Sequence, residues 1–371
     1  MARVTEGASI GAAIPVANPR RAVASDRVEL EAAISRVLDS GSFVHGKEHA
    51  AFEEELAGFL GVLHCAGVAS GTDALELALA AVGCKPGDEV VTAANAGGYA
   101  TAAAGRLGCP VRYADVDPTT FGLTAATVQP ALTGATRAVV ATHLYGLMCD
   151  VEGIAELCRD QGIAVVEDCA QAAGARRGAQ RAGSFADAAA LSFYPTKNLA
   201  AMGDGGAVVT GDAGIDERVR ALRQYGWSEK YRAVVPGGWN SRLDELQAAV
   251  LRLGLAHLEG RNERRREIVS RYAKALPTHA GRFVRSDGED FVGHLAVIVA
   301  EDRDRLAAAL GAAGVGTDVH YPVADYDQPA WRTDIRLPVT DHAVAHVLTV
   351  PCFPELTDEE VAVVCGVLDE L

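Results

Sequence analysis

Lys197 stands in the run Leu191-Ser192-Phe193-Tyr194-Pro195-Thr196-Lys197-Asn198 and precedes the glycine turn Gly203-Asp204-Gly205-Gly206. A lysine that leaves an apolar strand into a Gly-rich loop can be held as a half-desolvated amine, ready to form a Schiff base with an aldehyde or ketone. Upstream, the apolar run Ile163-Ala164-Val165-Val166 ends in Glu167-Asp168-Cys169-Ala170-Gln171, a carboxylate at the expected mouth of a parallel sheet. Together the two elements point to pyridoxal 5'-phosphate, with Lys197 taking the aldehyde and Asp168 keeping the ring nitrogen protonated.

Three further segments can be given chemistry. Ser70-Gly71-Thr72-Asp73-Ala74-Leu75 places small residues at a helix start, where four amides lack intrahelical partners and a phosphate fits. Taken alone it is an ordinary capped helix. Ser192 can offer its hydroxyl to the same phosphate or simply close its strand. In Gly238-Trp239-Asn240-Ser241-Arg242-Leu243-Asp244-Glu245, Asn240 sits just before a helix and reads by default as its N-cap.

The elements that position these residues follow from periodicity. Helical patterns cover residues 27–38, 74–82 and 151–159, and β-rich runs cover 89–92, 111–114, 138–142, 164–167, 189–193 and 207–210. Their alternation predicts an α/β protein with a largely parallel sheet covered on both faces. A long helical region is expected from about 243 to 276, broken near Gly260, followed by a strand-helix-strand segment over 295–319. The division expected is a large domain over 1–250, with N-terminal helices, and a small α/β domain over 251–371.

With 371 residues, 49% hydrophobic and 22% charged, the chain is long enough for two such domains. A net charge of −15 argues against nucleic acid and anionic membranes as partners. The basic run 261–267 is interleaved with glutamates and reads as a solvated helix face. No stretch approaches the ~20 apolar residues that span a bilayer, and the N-terminus lacks a signal core, so a cytoplasmic location is expected. None of the eight cysteines forms C-x-x-C, which fits reduced, buried thiols. His342 and His346 have metal-ligand spacing, but no acidic base motif accompanies them, and no metal is expected.

In combination these segments resemble the DegT-type sugar aminotransferases, pyridoxal-phosphate enzymes of the aspartate-aminotransferase fold (fold type I). Residues 70–75 match the family's SGTDAL segment, 167–171 its ED-x-A-Q segment, 192–197 with 203–206 its SF-x-x-x-K…G-[DE]-GG segment, and 240–247 its N-x-R-[LM]-x-E-x-Q segment. The likeness runs in ordered blocks from about 40 to 260 and continues weakly through Val319-His320-Tyr321-Pro322. Four motifs in order are far more specific than any one. The resemblance implies a large domain with a mostly parallel, seven-stranded-type sheet and a smaller C-terminal domain. It implies that Lys197 binds the cofactor and shuttles the proton, and that Asp168 pairs with the pyridinium nitrogen. Gln171 contacts the ring hydroxyl side, and Gly71, Thr72 and Ser192 hold the phosphate. In the family, the residue matching Asn240 reaches the phosphate from the neighbouring subunit, so a homodimer with shared active sites is implied.

One segment departs from the family pattern. Where the family has a proline, a threonine and a ring-stacking aromatic, this chain has Ala93-Ala94-Asn95-Ala96-Gly97-Gly98-Tyr99-Ala100-Thr101. Tyr99 is expected to supply the stack from a shifted backbone; the alternative is a smaller cover that leaves room for a bulkier substrate. The family resemblance further implies L-glutamate, or in some members glutamine, as amino donor and a nucleotide-linked keto-sugar as acceptor. Residues 222–231 and His320-Tyr321-Pro322 are similar to members acting on dTDP-3-keto-6-deoxyhexoses. Tyr225 and His320 are candidate substrate contacts, with Arg232 or Lys230 at the mouth for the diphosphate. Alternatives are C4 amination, a keto-inositol acceptor, or a non-catalytic pyridoxal-phosphate-binding regulator. A dehydratase of this fold replaces the lysine by histidine, which Lys197 argues against.

Overall fold

The computed structural model describes residues 13–371; the first twelve, read above for a signal core, lie outside them. Seven strands form the central sheet: β1 (His64–Val68), β2 (Glu89–Ala93), β3 (Val111–Ala114), β4 (Thr136–Thr142), β5 (Ala164–Asp168), β6 (Ala188–Ser192) and β7 (Gly206–Thr210). They lie in the order β1-β7-β6-β5-β4-β2-β3, with β3, β2, β4, β5 and β6 parallel and β7 antiparallel to both β6 and β1. The near-continuous apolar character of β4 to β7 is that of strands buried on both faces. β1 has no expected counterpart in the sequence, because His-Cys-Ala-Gly-Val has little β propensity of its own. Its five residues are instead held by pairing across β7.

Register brings the chemistry to one end of the sheet. Asp168 closes β5 directly beside Thr142 of β4 and Ala190 of β6, and Ser192 closes β6 beside Gly206. From the end of β1 the chain turns through Ser70 into α1 (Gly71–Ala81), whose Ser70 hydroxyl accepts the Asp73 N–H at 3.1 Å. Ala74, Leu75, Leu77, Ala78, Leu79 and Ala81 are all buried, and the alanines let this helix lie close over β6 and β7. Each buried leucine stabilises the arrangement by roughly 1.5–3 kcal/mol.

A single helix, α2 (Glu245–Ala275), of 31 residues and thus about 46 Å, runs along the molecule. The expected break near Gly260 does not occur. Gly260 is exposed, and one glycine costs a helix only ~1 kcal/mol, less than is gained by burying Leu251, Leu258, Ile268, Val269 and Tyr272 along the inner face. Position 250, where the domain division is expected, falls inside this helix.

Beyond α2, a three-stranded antiparallel sheet is built from β8 (Arg282–Phe283), β9 (Ala296–Val299) and β10 (Val347–Val350). The expected strand around Val319 is not formed: Val315 and Asp318 make only isolated bridges, to Ile14 and Thr349. The place beside β9 is already taken by β10, so this stretch passes along the edge toward the mouth of the large sheet. Helix α3 (Asp358–Asp369) packs this region back onto α2. No helix of the described residues is long and apolar enough to cross a membrane.

Candidate active site

A cleft of ≈ 620 Å³ opens where the parallel strands end. Gly71, Thr72, Asp168, Ser192, Lys197, Tyr99 and His320 all line it, bringing together residues from both halves of the chain. Asn240, Tyr225 and Gln171 do not.

Lys197 is held by a turn in which its backbone N–H donates to the Tyr194 carbonyl at 2.8 Å. Burial pulls its amine down to about 8, with the Asp168 carboxylate opposing the fall. An amine in that range is partly neutral at physiological pH and can act as nucleophile or base. Asp168 is 5% exposed. Its Oδ1 accepts the Ala170 N–H at 3.1 Å, and Oδ2 lies 3.4 Å from the Thr142 hydroxyl. Burial raises its pKa, offset by the Ala170 amide and by Lys197 and His143. Among the described residues no cation forms an ion pair with it, and a buried carboxylate without a cationic partner is the environment that fits a protonated ring nitrogen.

Behind Asp168, the side chains of His143 and Glu167 meet at 3.0 Å with neither exposed. Glu167 also accepts the N–H groups of Gly183, Phe185 and Ala186. Cys169 lies within 4.8 Å of this pair. The carboxylate is already saturated, and the Cys169 thiol is pushed up to about 12 by burial, so the cluster reads as a polar brace for the β5 terminus.

Opposite the lysine, the first amides of α1 have no intrahelical acceptor. Gly71 is packed against Ser192 so closely that a Cβ would come 2.5 Å from Ser192 Cβ, which puts the serine hydroxyl beside those amides. A glycine cradle, free amides and a hydroxyl in one corner fit a phosphate. With Lys197 and Asp168 in the same cleft, the residues present fit pyridoxal phosphate.

Tyr99 opens the helix Tyr99–Arg106 and is 48% exposed, with its ring 6.2 Å from that of Tyr321 in an edge-to-face arrangement. Gly97 and Gly98 adopt φ of 82° and 79°; a Cβ would meet the Tyr321 ring at 2.9 Å in the first case and Trp331 at 2.6 Å in the second. The two glycines therefore make room for aromatic side chains from the far end of the chain. Tyr321 gave only a faint sequence signal, as part of a short motif. Gln171 stands behind it: its Nε2 donates to the Tyr321 hydroxyl at 3.1 Å and its Oε1 accepts the Tyr145 N–H at 2.6 Å.

Asn240 is exposed and bridges to Gln224; α2 begins only at Glu245 with Asp244 at its cap, so the default N-cap reading of Asn240 is overturned. Tyr225 is exposed at φ 61°, its ring 5.1 Å from Trp227 at the base of a hairpin that also carries Lys230 and Arg232. Arg232 faces Glu229 at 3.6 Å. These residues lie outside the cleft of their own chain. His320 faces into it, with Nδ1 2.9 Å from the Thr349 hydroxyl, and burial lowers its pKa. His294 and Arg265 also line the cleft. Arg265 overturns the reading of 261–267 as a solvated face: it is buried on the inner side of α2 with Leu258, Asn262, Ile268 and Val269, while Arg264 pairs with Asp358 and Glu267.

A family model described as the DegT/DnrJ/EryC1/StrS aminotransferase family matches residues 24–369. The chain is 42% identical over 352 residues to a dTDP-3-amino-3,4,6-trideoxy-alpha-D-glucose transaminase of Streptomyces venezuelae, covering 92% of each. It is 39% identical over 360 residues to a UDP-N-acetyl-3-dehydro-alpha-D-glucosamine 3-aminotransferase of Acidithiobacillus ferrooxidans, covering 96% of this chain and 97% of the relative. The crystal structure of S. venezuelae DesV in complex with a ketimine intermediate superposes with a TM-score of 0.93 at 39% identity, over 96% of this chain and 98% of that one.

Proposed function

This chain belongs to the DegT/DnrJ/EryC1/StrS aminotransferase family, and from that premise we propose that it aminates the C3 position of a nucleotide-linked keto-deoxysugar, favoured as a dTDP-3-keto-6-deoxyhexose, with L-glutamate as donor. The observation that carries the reading is the cleft in which Lys197, its amine lowered to about 8, faces the buried Asp168. Pyridoxal phosphate, when bound, would supply the electron sink that makes the donor's α-carbon acidic. Lys197 moves the proton at the substrate carbon, because its lowered pKa lets it take and return that proton near neutral pH. Asp168 holds the positive charge at the ring nitrogen. The Gly71 and Thr72 amides with the Ser192 hydroxyl hold the phosphate, and Tyr99 covers the ring. Gln171 acts through Tyr321, fixing that ring at the cleft wall.

Asn240 and Tyr225, exposed on their own chain, suit a homodimer in which each subunit completes the other's site. His320 is placed to contact the sugar. The two relatives described above both carry or install nitrogen at C3, one on a dTDP sugar and one on a UDP sugar, which supports C3 over C4. The test is spectroscopic. Glutamate should bleach the holoenzyme's visible band, and one member of a panel of dTDP- and UDP-linked 3-keto and 4-keto sugars, with a keto-inositol, should restore it. Restoration by the inositol alone overturns the sugar-nucleotide assignment.

A further inference from the structure

Glu301, His342 and His346 come together beside the small sheet, and none of them lines the cleft. The sequence sets the two histidines one helical turn apart, and packing supplies a carboxylate from another element. His342 and His346 belong to the helix Pro338–His346, which leads directly into β10. Glu301 follows β9, and the Ala300 N–H donates to the His346 carbonyl at 3.1 Å, which continues the β9–β10 pairing and fixes the two backbones side by side. The rings of His342 and His346 are stacked, 4.2 Å apart and within 27° of parallel. His346 Nδ1 donates to the His342 carbonyl at 2.8 Å, so the lone pair of the neutral ring lies on Nε2, and Nε2 faces Glu301 Oε2 at 3.3 Å. One ligand atom from each of the three residues lies within 4.8 Å of the other two.

We propose that Glu301, His342 and His346 form a binding site for a divalent transition-metal ion of the zinc class. Two imidazole nitrogens and one carboxylate are a donor set that zinc takes with water in the fourth position, whereas magnesium and calcium take oxygen ligands. Tetrahedral ligands at roughly 2.0–2.2 Å from zinc stand about 3.3–3.6 Å from one another. His346 Nε2 and the Glu301 carboxylate already have that separation, and the exposed side chain of His342 is free to close the remainder. The carbonyl that holds His346 Nδ1 gives the ring the orientation that a metal-bound histidine takes from the partner of its other nitrogen. The C-terminal end of a helix adds a dipole that favours a cation. A surface ion pair between Glu301 and a protonated His346 would use the same contact, but it gains nothing from a second imidazole stacked alongside. At the other end of the helix, Asp115, the residue after β3, accepts the N–H groups of Val339 and Thr340 at 3.1 and 2.9 Å. A metal that closes the C-terminal end onto the residues after β9 therefore fastens a strut between the small sheet and the large one.

The test uses the tag-free holoenzyme, freed of metal by a chelator and titrated with zinc by calorimetry. One zinc should bind per chain. A ligand counts for more than the outer partner that orients it, so His342→Ala and His346→Ala should each weaken binding about 100-fold or more, and Glu301→Gln about tenfold. At about a hundred times its dissociation constant, zinc should raise the unfolding temperature of the wild type by about 3 °C and leave that of His346→Ala unchanged. Cobalt(II) in place of zinc should give weak visible bands without thiolate charge-transfer absorption, since seven of the eight cysteines are buried and Cys365 is partly so. In the wild type, zinc should protect His342 and His346 from diethyl pyrocarbonate, as mapped by mass spectrometry, a readout that needs no variant. Zinc binding of wild-type strength in His346→Ala, a thiolate band with cobalt, or protection of neither histidine overturns the proposal.

Discussion

Gly71 and Ser192 touch across the mouth of the sheet, so that a methyl group added to Gly71 would lie 2.5 Å from Ser192 Cβ. This contact aligns the amides of one helix start with a hydroxyl from the neighbouring strand end. Gly71→Ala should therefore displace Ser192, weaken pyridoxal phosphate binding by tenfold or more, and cost about 1–3 kcal/mol of stability through overpacking. Ser192→Ala removes only the hydroxyl and should cost ~1 kcal/mol in cofactor affinity without changing stability. Titration of the apoprotein with cofactor, beside urea unfolding, separates the two. Equal cofactor affinity for Gly71→Ala and wild type would refute the phosphate corner.

Lys197 provides a pH signature. In the folded apoprotein it loses its proton near 8, whereas an unfolded lysine does so near ~10.4. Between those values the unfolded chain binds more protons, so the folding penalty of this buried charge is fully present below pH 8 and is relieved as pH rises to about 10.4. Lys197→Met should abolish that rise in stability. Reductive methylation of Lys197, read by mass spectrometry, should show a midpoint near 8, and Asp168→Asn should move it lower still, because the carboxylate opposes the fall. A midpoint at the ordinary lysine value would remove the basis for its role as base.

Asp325 behaves in the opposite sense. It is 2% exposed, accepts the Thr101 hydroxyl at 2.5 Å, and burial raises its pKa to about 6. The folded state thus binds more protons between about 3.9 and 6, and the stability this group contributes at low pH is lost as pH rises through 6. Asp325→Asn keeps the hydroxyl contact without the charge. Relative to wild type it should gain about 2 kcal/mol in stability between pH 4 and pH 7. A difference that does not vary with pH would show that Asp325 does not titrate in this range.

Tyr99→Ala should loosen the cofactor, since an aromatic contact of this kind contributes about 0.5–1.5 kcal/mol. The expected change in dissociation constant is roughly two- to tenfold. Tyr321→Phe, which breaks the hydrogen bond to Gln171, should leave the cofactor in place but alter the rate with the keto-sugar. Unchanged retention in Tyr99→Ala would mean that another side chain covers the ring.

What the sequence determined by itself was everything that depends on neighbours along the chain. The apolar runs that became β4, β5 and β6, the carboxylate closing β5, the serine cap of α1 and the lysine after a strand are local patterns with local causes, and they were enough to place Lys197, Asp168 and Ser192 and to bring out the family resemblance. Only the tertiary structure decided the rest. Strand β1 exists because β7 pairs with it, and the long helix runs through Gly260 because its apolar face is buried against the rest of the chain. Arg265 looked like one charge in a solvated run until the rotation of α2 turned it inward. Tyr321 and His320 reach the cleft from the connection between β9 and β10, more than a hundred residues beyond Lys197. Burial and contact at such distances depend on how elements pack, and no spacing along the chain records that.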